Sequence, residues 1–303
     1  MNLKYIALLV AVVVLATIGL TFIPKPQNAV PSSKMTVMTS FYPVYFLAQQ
    51  IAGDKAEVIN ITPAGTEPHD YEPTPQQIAQ IEQSKLLVTI GGVEAWADRV
   101  KQSLGTSTLV INAGEGLQTQ QLKEGGETIA DPHIWLSPTL AASMARRIEQ
   151  GLEQIDPGNK YYYQLSANGL ITALEQLDLE FKESLAHCAK KDIITSHAAF
   201  GYLANSYSLH QVPITGLSPD AEPSAKDLAS IADFAKKNNV RVIFFESLVS
   251  PKLSQTIAKE VGAQTAVLDP IEGMTAADSE AGKNYLTQMR QNLSNLKIAL
   301  ECK

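Results

Sequence analysis

The stretch from Asp156 to Ala186 constrains the fold most. Within it Leu170, Leu174, Leu177, Phe181 and Leu185 recur at spacings of 4, 3, 4 and 4, which is one face of an α-helix. A helix of about 30 residues is about 45 Å long, more than one small domain requires. Gly169 interrupts the pattern, so two shorter helices inside a single domain are the alternative.

Either side of this stretch, short apolar runs alternate with amphipathic ones. Before it, strands are expected over residues 35–41, 56–61, 86–90 and 108–112. Helices are expected from Pro43 to a stop at Gly53, from Pro75 behind a Thr74 cap, and along Val93, Trp96, Val100 and Leu104. Residues 114–130 are polar and weakly patterned and read as a surface loop, after which Ser137 is expected to cap a helix running to Ile155. After the long stretch, strands over 192–196, 212–217, 241–246 and 265–268 alternate with helices over 200–209, 223–237, 251–261 and 279–300. Such alternation specifies an α/β fold with parallel, helix-covered sheets, repeated in two similar halves.

Three of the five histidines share one kind of setting. His69 is central to Thr62–Pro75, a loop stiffened by four prolines between a strand and a helix. His133 follows Asp131 and Pro132 just ahead of a helix, and His197 ends an apolar strand where the chain turns into a helix. Ligands of open α/β sheets bind at the carboxyl ends of strands, and three imidazoles there with carboxylates nearby suit a zinc-like transition metal. His187 and His210 have no such setting and read as ordinary, partly exposed residues.

From Met35 to the C-terminus the chain resembles the zinc and manganese solute-binding proteins of bacterial ABC importers. The segments that carry the resemblance are 39–43 (Thr-Ser-Phe-Tyr-Pro), 65–75, 131–138, 195–202 and 268–273 (Leu-Asp-Pro-Ile-Glu-Gly). The resemblance implies two lobes joined by one long rigid helix, with the metal site in the cleft. It divides the chain into an N-terminal hydrophobic segment and tether (1–34), a first lobe (35–155), a connecting helix (156–187) and a second lobe (188–303). It also implies a permease as partner and a bound divalent ion as transported cargo, with no catalytic residues.

For the ligands the resemblance implies His69, His133, His197 and Glu272. Asp269 and Glu246 are the alternatives for the fourth position, while Glu67, Asp70 and Asp131 read as supporting acceptors or helix-end charges. Relatives that favour manganese carry Glu where His197 stands, so the third imidazole points to zinc, with manganese the alternative. Relatives specific for zinc often carry a long histidine-loaded loop ahead of the second histidine, and residues 114–130 contain none. A zinc hydrolase is a competing class, but no His-Glu-x-x-His is present. An adhesin role, credited to some relatives of this fold, has no separate module in the chain.

A net charge of -7, with no run of Lys or Arg, argues against a nucleic-acid partner. The uncharged run from Tyr5 to Ile23 follows Lys4 and is close to the ~20 residues that span a bilayer, so it reads as an uncleaved anchor, with a cleaved signal as the alternative. No cysteine follows it for lipid attachment. The protein is thus expected outside the cytoplasm, a monomer tethered by residues 5–23. There its two cysteines, Cys188 and Cys302, are expected to form a disulfide.

Overall fold

A computed structural model describes residues 34–124, 127–219 and 221–303, and the expected anchor at residues 5–23 lies outside them. The first half of the chain forms strands β1 (Met35–Thr39), β2 (Ala56–Asn60), β3 (Leu86–Thr89) and β4 (Leu109–Asn112), linked through helices α1 (Tyr42–Ala52), α2 (Pro75–Gln83) and α3 (Ala97–Ser103). All pair in parallel, in the order β2-β1-β3-β4. A hairpin of β5 (Gln121–Glu124) and β6 (Glu127–Ala130) follows, then α4 (Pro138–Ile155) and α5 (Lys160–Leu185). The second sheet comprises β7 (Asp192–Thr195), β8 (His210–Pro213), β9 (Val242–Phe245) and β10 (Gln264–Val267), in the order β10-β9-β7-β8. Counted from its own first strand, each sheet runs 2-1-3-4, so the two halves share one topology. Helices α6 (Gly201–Ser206), α7 (Ala225–Lys237), α8 (Lys252–Val261), α9 (Ala276–Glu280) and α10 (Tyr285–Ala299) complete the second half.

Two-sided burial explains the nearly unbroken apolar strands. Along β1, Val37 enters the large central core and Met38 the smaller core beneath α2 and α3; Leu86 and Leu87 of β3 divide in the same way. In the second sheet Ile193 and Phe244 face the central core, whereas Ile194 and Ile243 face α7 and α8. The long helix α5 is continuous for 26 residues and packs against α1, α4 and α10. Its expected face is fully used, since Leu170, Leu174, Leu177, Phe181 and Leu185 are all buried. Each such side chain contributes about 1.5–3 kcal/mol, which outweighs the ~1 kcal/mol cost of a mid-helix glycine. The alternative of two shorter helices is therefore not what forms.

Several local expectations need correction. Part of the expected 114–130 loop is the β5–β6 hairpin. The last helix is broken: α9 ends before Gly282, whose φ is 72°, and Asn284 caps a new helix with a reciprocal Thr287 bond. The helix expected to Leu209 stops at Ser206, and β8 begins at His210, ahead of the expected 212. Ser137 stands at the N-cap of α4 but makes no cap bond, its hydroxyl lying instead 3.0 Å from that of Thr139 and 3.3 Å from that of Ser206. Cys188, just past α5, is joined to Cys302, just past α10, as expected. Among the described residues no helix is long and apolar enough to cross a membrane.

Candidate metal centre

His69 hangs from the loop that leaves β2. Gln77 holds that loop at both ends: its Nε2 donates to the Ile61 carbonyl at 2.7 Å, and its Oε1 accepts from the Tyr71 hydroxyl at 2.7 Å and the Thr74 N–H at 2.8 Å. The Thr74 hydroxyl accepts the Gln77 N–H in return, a capping box that starts α2. The Gly65 N–H donates to the Met274 carbonyl at 3.0 Å, which joins this loop to the turn after β10.

His133 follows β6 and precedes a 3-10 turn, Ile134–Leu136, that leads into α4. One oxygen of Asp131 accepts both the His133 backbone N–H at 3.0 Å and its Nδ1–H at 2.8 Å. His197 lies two residues past β7, with Nδ1 2.6 Å from an oxygen of Glu246, the residue after β9. Carboxylates only accept, so Nδ1 of both rings carries a proton and Nε2 is left to face a cation. Strands β7 and β9 flank the point where strand order reverses in the second sheet, the place where open α/β sheets bind ligands.

The three Nε2 atoms converge on one oxygen of Glu272, in the turn after β10. Oε1 lies 3.5 Å from His69, 3.2 Å from His133 and 3.4 Å from His197, and the last two nitrogens are 3.3 Å apart. A tetrahedron with metal bonds of about 2.0–2.1 Å has edges of about 3.3 Å. Four of the six edges of such a tetrahedron are therefore already near that length. All four ligand atoms lie within 4.8 Å of one another. His133 and His197 are fully buried, Glu272 is 2% exposed, and only the His69 side chain, 10% exposed, reaches solvent. His69 Nε2 and Glu272 Oε1 have no hydrogen-bond partner within the protein. Each such buried, unpaired group costs about 1–3 kcal/mol, and a central cation would satisfy both.

Charge is arranged to match. Burial acts to lower the pKa of His133, but the facing carboxylates of Asp131 and Glu272 outweigh it and the net shift is upward. His197 stands well above its ordinary 6.5, because the opposing effect of burial is exceeded by the Glu246 and Glu272 carboxylates. Glu272 lies well below 4.5 although burial pushes it up, since His197, His133 and His69 face it. Burial and then Glu272 push Glu67 up to about 7, against the pull of His69. Without a cation, the carboxylates thus favour the protonated forms of His133 and His197. A divalent ion placed there would displace such protons.

The two alternatives for the fourth position have other partners here. Glu246 orients His197, as described. Asp269 accepts the Ile271 N–H at 2.7 Å and the Ser247 hydroxyl at 2.6 Å, so it stabilises its own turn. Burial pushes Asp269 up to about 6. Glu67 accepts the His69 backbone N–H at 2.9 Å, whereas Asp70 is exposed. His187 is exposed, and His210 bonds Asp192 with 63% of its side chain in solvent. Sequence reading missed Tyr202, whose hydroxyl accepts the Gln120 N–H at 3.0 Å and donates to the Asp131 carbonyl at 3.1 Å. It also gave no role to Trp135, whose Nε1 donates to the Pro270 carbonyl at 2.7 Å, or to Asn292. Tyr202 and Trp135 sit inside the histidine motifs, but a partner 82 or 135 residues away leaves no local trace.

Comparison with known proteins identifies the family. Residues 37–299 match the profile of the family described as zinc-uptake complex component A, periplasmic. The high-affinity zinc uptake system protein ZnuA of Bacillus subtilis is 41% identical over 283 residues, covering 88% of each chain. The zinc-binding lipoprotein AdcA of Streptococcus pneumoniae is 38% identical over 87% of this chain, which spans only 55% of that longer protein. The crystal structure of its Zn(II)-bound ZnuA-like domain is 39% identical, covers 88% of this chain and 99% of that one, and superposes with a TM-score of 0.76. At these levels of identity and coverage, the chain belongs to the ZnuA family of zinc-uptake components.

Proposed function

We propose that this protein is an extracytoplasmic receptor that binds one zinc ion through His69, His133, His197 and Glu272 and delivers it to an ABC-type membrane importer. The observation that carries this reading is the convergence of three imidazole nitrogens on one Glu272 oxygen at 3.2–3.5 Å in a nearly closed cage. Three nitrogen donors and one oxygen suit zinc better than manganese, which takes harder ligands. The names of the relatives, zinc uptake and zinc binding, support the same ion. A zinc hydrolase keeps its fourth position for water, whereas four protein donors fill the shell and favour carriage over chemistry. The tether at residues 5–23, the permease as partner, the monomeric state, and the division into lobes at 35–155 and 188–303 about residues 156–187 belong to the same proposal.

Equilibrium dialysis of the purified protein against equal zinc and manganese, with metal analysis of the retained protein, tests it. One zinc per chain, lost in Glu272→Ala and His197→Ala, is expected. Preferential manganese loading, or zinc retention in both variants, would refute the assignment.

A further inference from the structure

The turn that presents Glu272 contains an unusual backbone conformation. Ile271 has φ of +59° and is fully buried. A residue with a branched β-carbon rarely adopts this left-handed region, and persists there only where its surroundings over-determine it. Those surroundings can be named group by group. Asn292, fully buried on α10, accepts the Asp269 N–H through Oδ1 at 2.9 Å and donates from Nδ2 to the Asp269 carbonyl at 2.6 Å. Pro270 has no N–H, and its carbonyl accepts from Trp135 Nε1 at 2.7 Å. The Ile271 N–H donates to the Asp269 carboxylate at 2.7 Å. Every backbone polar group from the Asp269 nitrogen to the Ile271 nitrogen is thus paired.

Trp135 ties this turn to the neighbouring ligand segment, since its ring lies 5.1 Å from that of His133, centroid to centroid. Its carbonyl in turn accepts from the Tyr285 hydroxyl at the start of α10. The last helix therefore supplies two side chains, Tyr285 and Asn292, to the scaffold that sets Glu272 against the histidines.

We propose that Asn292 is a positioning residue for the metal site: by holding both backbone groups of Asp269 it fixes Ile271 in the left-handed conformation that aims Glu272 Oε1 at the three imidazoles. This rests on Glu272 as the fourth ligand. Without Asn292 the turn is free to relax Ile271 to negative φ, and Glu272, the next residue, swings off the site. The ion is then left with three nitrogen donors, and water molecules open its shell to five or six positions.

Cobalt(II) loaded in place of zinc reads this directly, because four-coordinate cobalt absorbs visible light far more strongly than five- or six-coordinate cobalt. The full chain is compared with Glu272→Ala, Asn292→Ala, Asn292→Asp and the double variant Asn292→Ala with Ile271→Gly. Asn292→Ala and Glu272→Ala are both expected to lose most of the visible absorbance, and Asn292→Ala to weaken zinc binding at least about tenfold. Glycine adopts positive φ without strain. Ile271→Gly in the Asn292→Ala background is therefore expected to recover absorbance and at least about threefold in affinity. Asn292→Asp, the same size and still able to accept the Asp269 N–H, substitutes if the alanine variant does not fold, with the same loss expected. A fold-only role would lower the melting temperature and leave the cobalt spectrum of the folded protein unchanged. An altered spectrum in Glu272→Ala but wild-type spectrum and affinity in the Asn292 variants would overturn the inference and leave the ligand assignment standing. An unchanged spectrum in Glu272→Ala would overturn both.

Discussion

Glu246 Oε1 lies 2.6 Å from His197 Nδ1, and both side chains are buried where β7 and β9 run side by side. The carboxylate fixes the ring's orientation and makes its other nitrogen a better donor. Glu246→Gln keeps the shape but removes the charge, and should weaken zinc binding about 10–100-fold. His210→Ala, at an exposed imidazole bonded to Asp192, should leave affinity unchanged. Competition against a chromophoric chelator measures both, and equal losses would contradict the roles assigned here.

Zinc should expel protons as it binds. The pKa values of His133 and His197 lie above 6.5 in the metal-free protein, so at neutral pH the ion displaces protons from these rings. Affinity then rises with pH through the raised values and falls steeply below about 6. Calorimetry at pH 7 in buffers of different ionisation enthalpy should report a release of about one proton or more per zinc. A binding enthalpy independent of buffer would contradict this. The imidazoles influence the stability of the metal-free protein in the opposite sense. Their raised values stabilise it fully below about 6.5, and that contribution is lost as pH rises through the folded-state pKa. The depressed Glu272 contributes above its ordinary 4.5 and loses that contribution as pH falls through its folded-state value.

The disulfide should matter to stability and not to the metal. Cys188 and Cys302 are 114 residues apart in sequence, and the Lys190 N–H donates to the Leu300 carbonyl beside them. Replacing both cysteines by serine should cost about 2–4 kcal/mol in chemical denaturation. Zinc affinity should stay within about twofold, because none of the four ligands is a residue that the bond joins. Two free thiols in unfolded, unreduced protein would show that the bond does not form.

Gly201 offers a test in which helix propensity predicts the wrong sign. Alanine in a helix is usually more stable than glycine by about 0.5–1 kcal/mol. Here a Cβ would stand 2.7 Å from Asp131 Oδ2 and 3.0 Å from Gln120 Oε1. Gly201→Ala should therefore push Asp131 away from His133 and reduce zinc affinity severalfold. A variant that is more stable and binds zinc normally would show that this close approach has no functional weight.

The sequence made the three histidines legible because each sits beside a proline or at a strand end, signals that are local. Glu272 was legible only through resemblance, since Asp269 and Glu246 offer equally plausible carboxylates until hydrogen bonds assign them. Asn292 could not be found at all: it lies in an ordinary amphipathic helix, and its partner is 23 residues away. The β5–β6 hairpin escaped for a different reason. Its alternation is too weak to distinguish from a polar loop, and it forms through pairing of Gln121 with Ala130 and Leu122 with Ile129. The single helix expected over 279–300 passes through Gly282 and Asn284, where a left-handed glycine and a capping box end one helix and begin the next.

The central core has a consequence for how the ion leaves. Val37, Val88, Leu174, Phe181, Phe244 and Leu268 belong to one continuous apolar cluster reaching from the first sheet through α5 to the second. Swinging the halves apart like jaws would wet that cluster at about 25 cal/mol for every Å² of apolar surface exposed. The His69 loop is held mainly by hydrogen bonds to Ile61, Ser40 and Met274, and it carries the one ligand with an edge in solvent. Yielding of that loop is the less costly route, so the residence time of zinc follows a local opening and not a rigid-body swing.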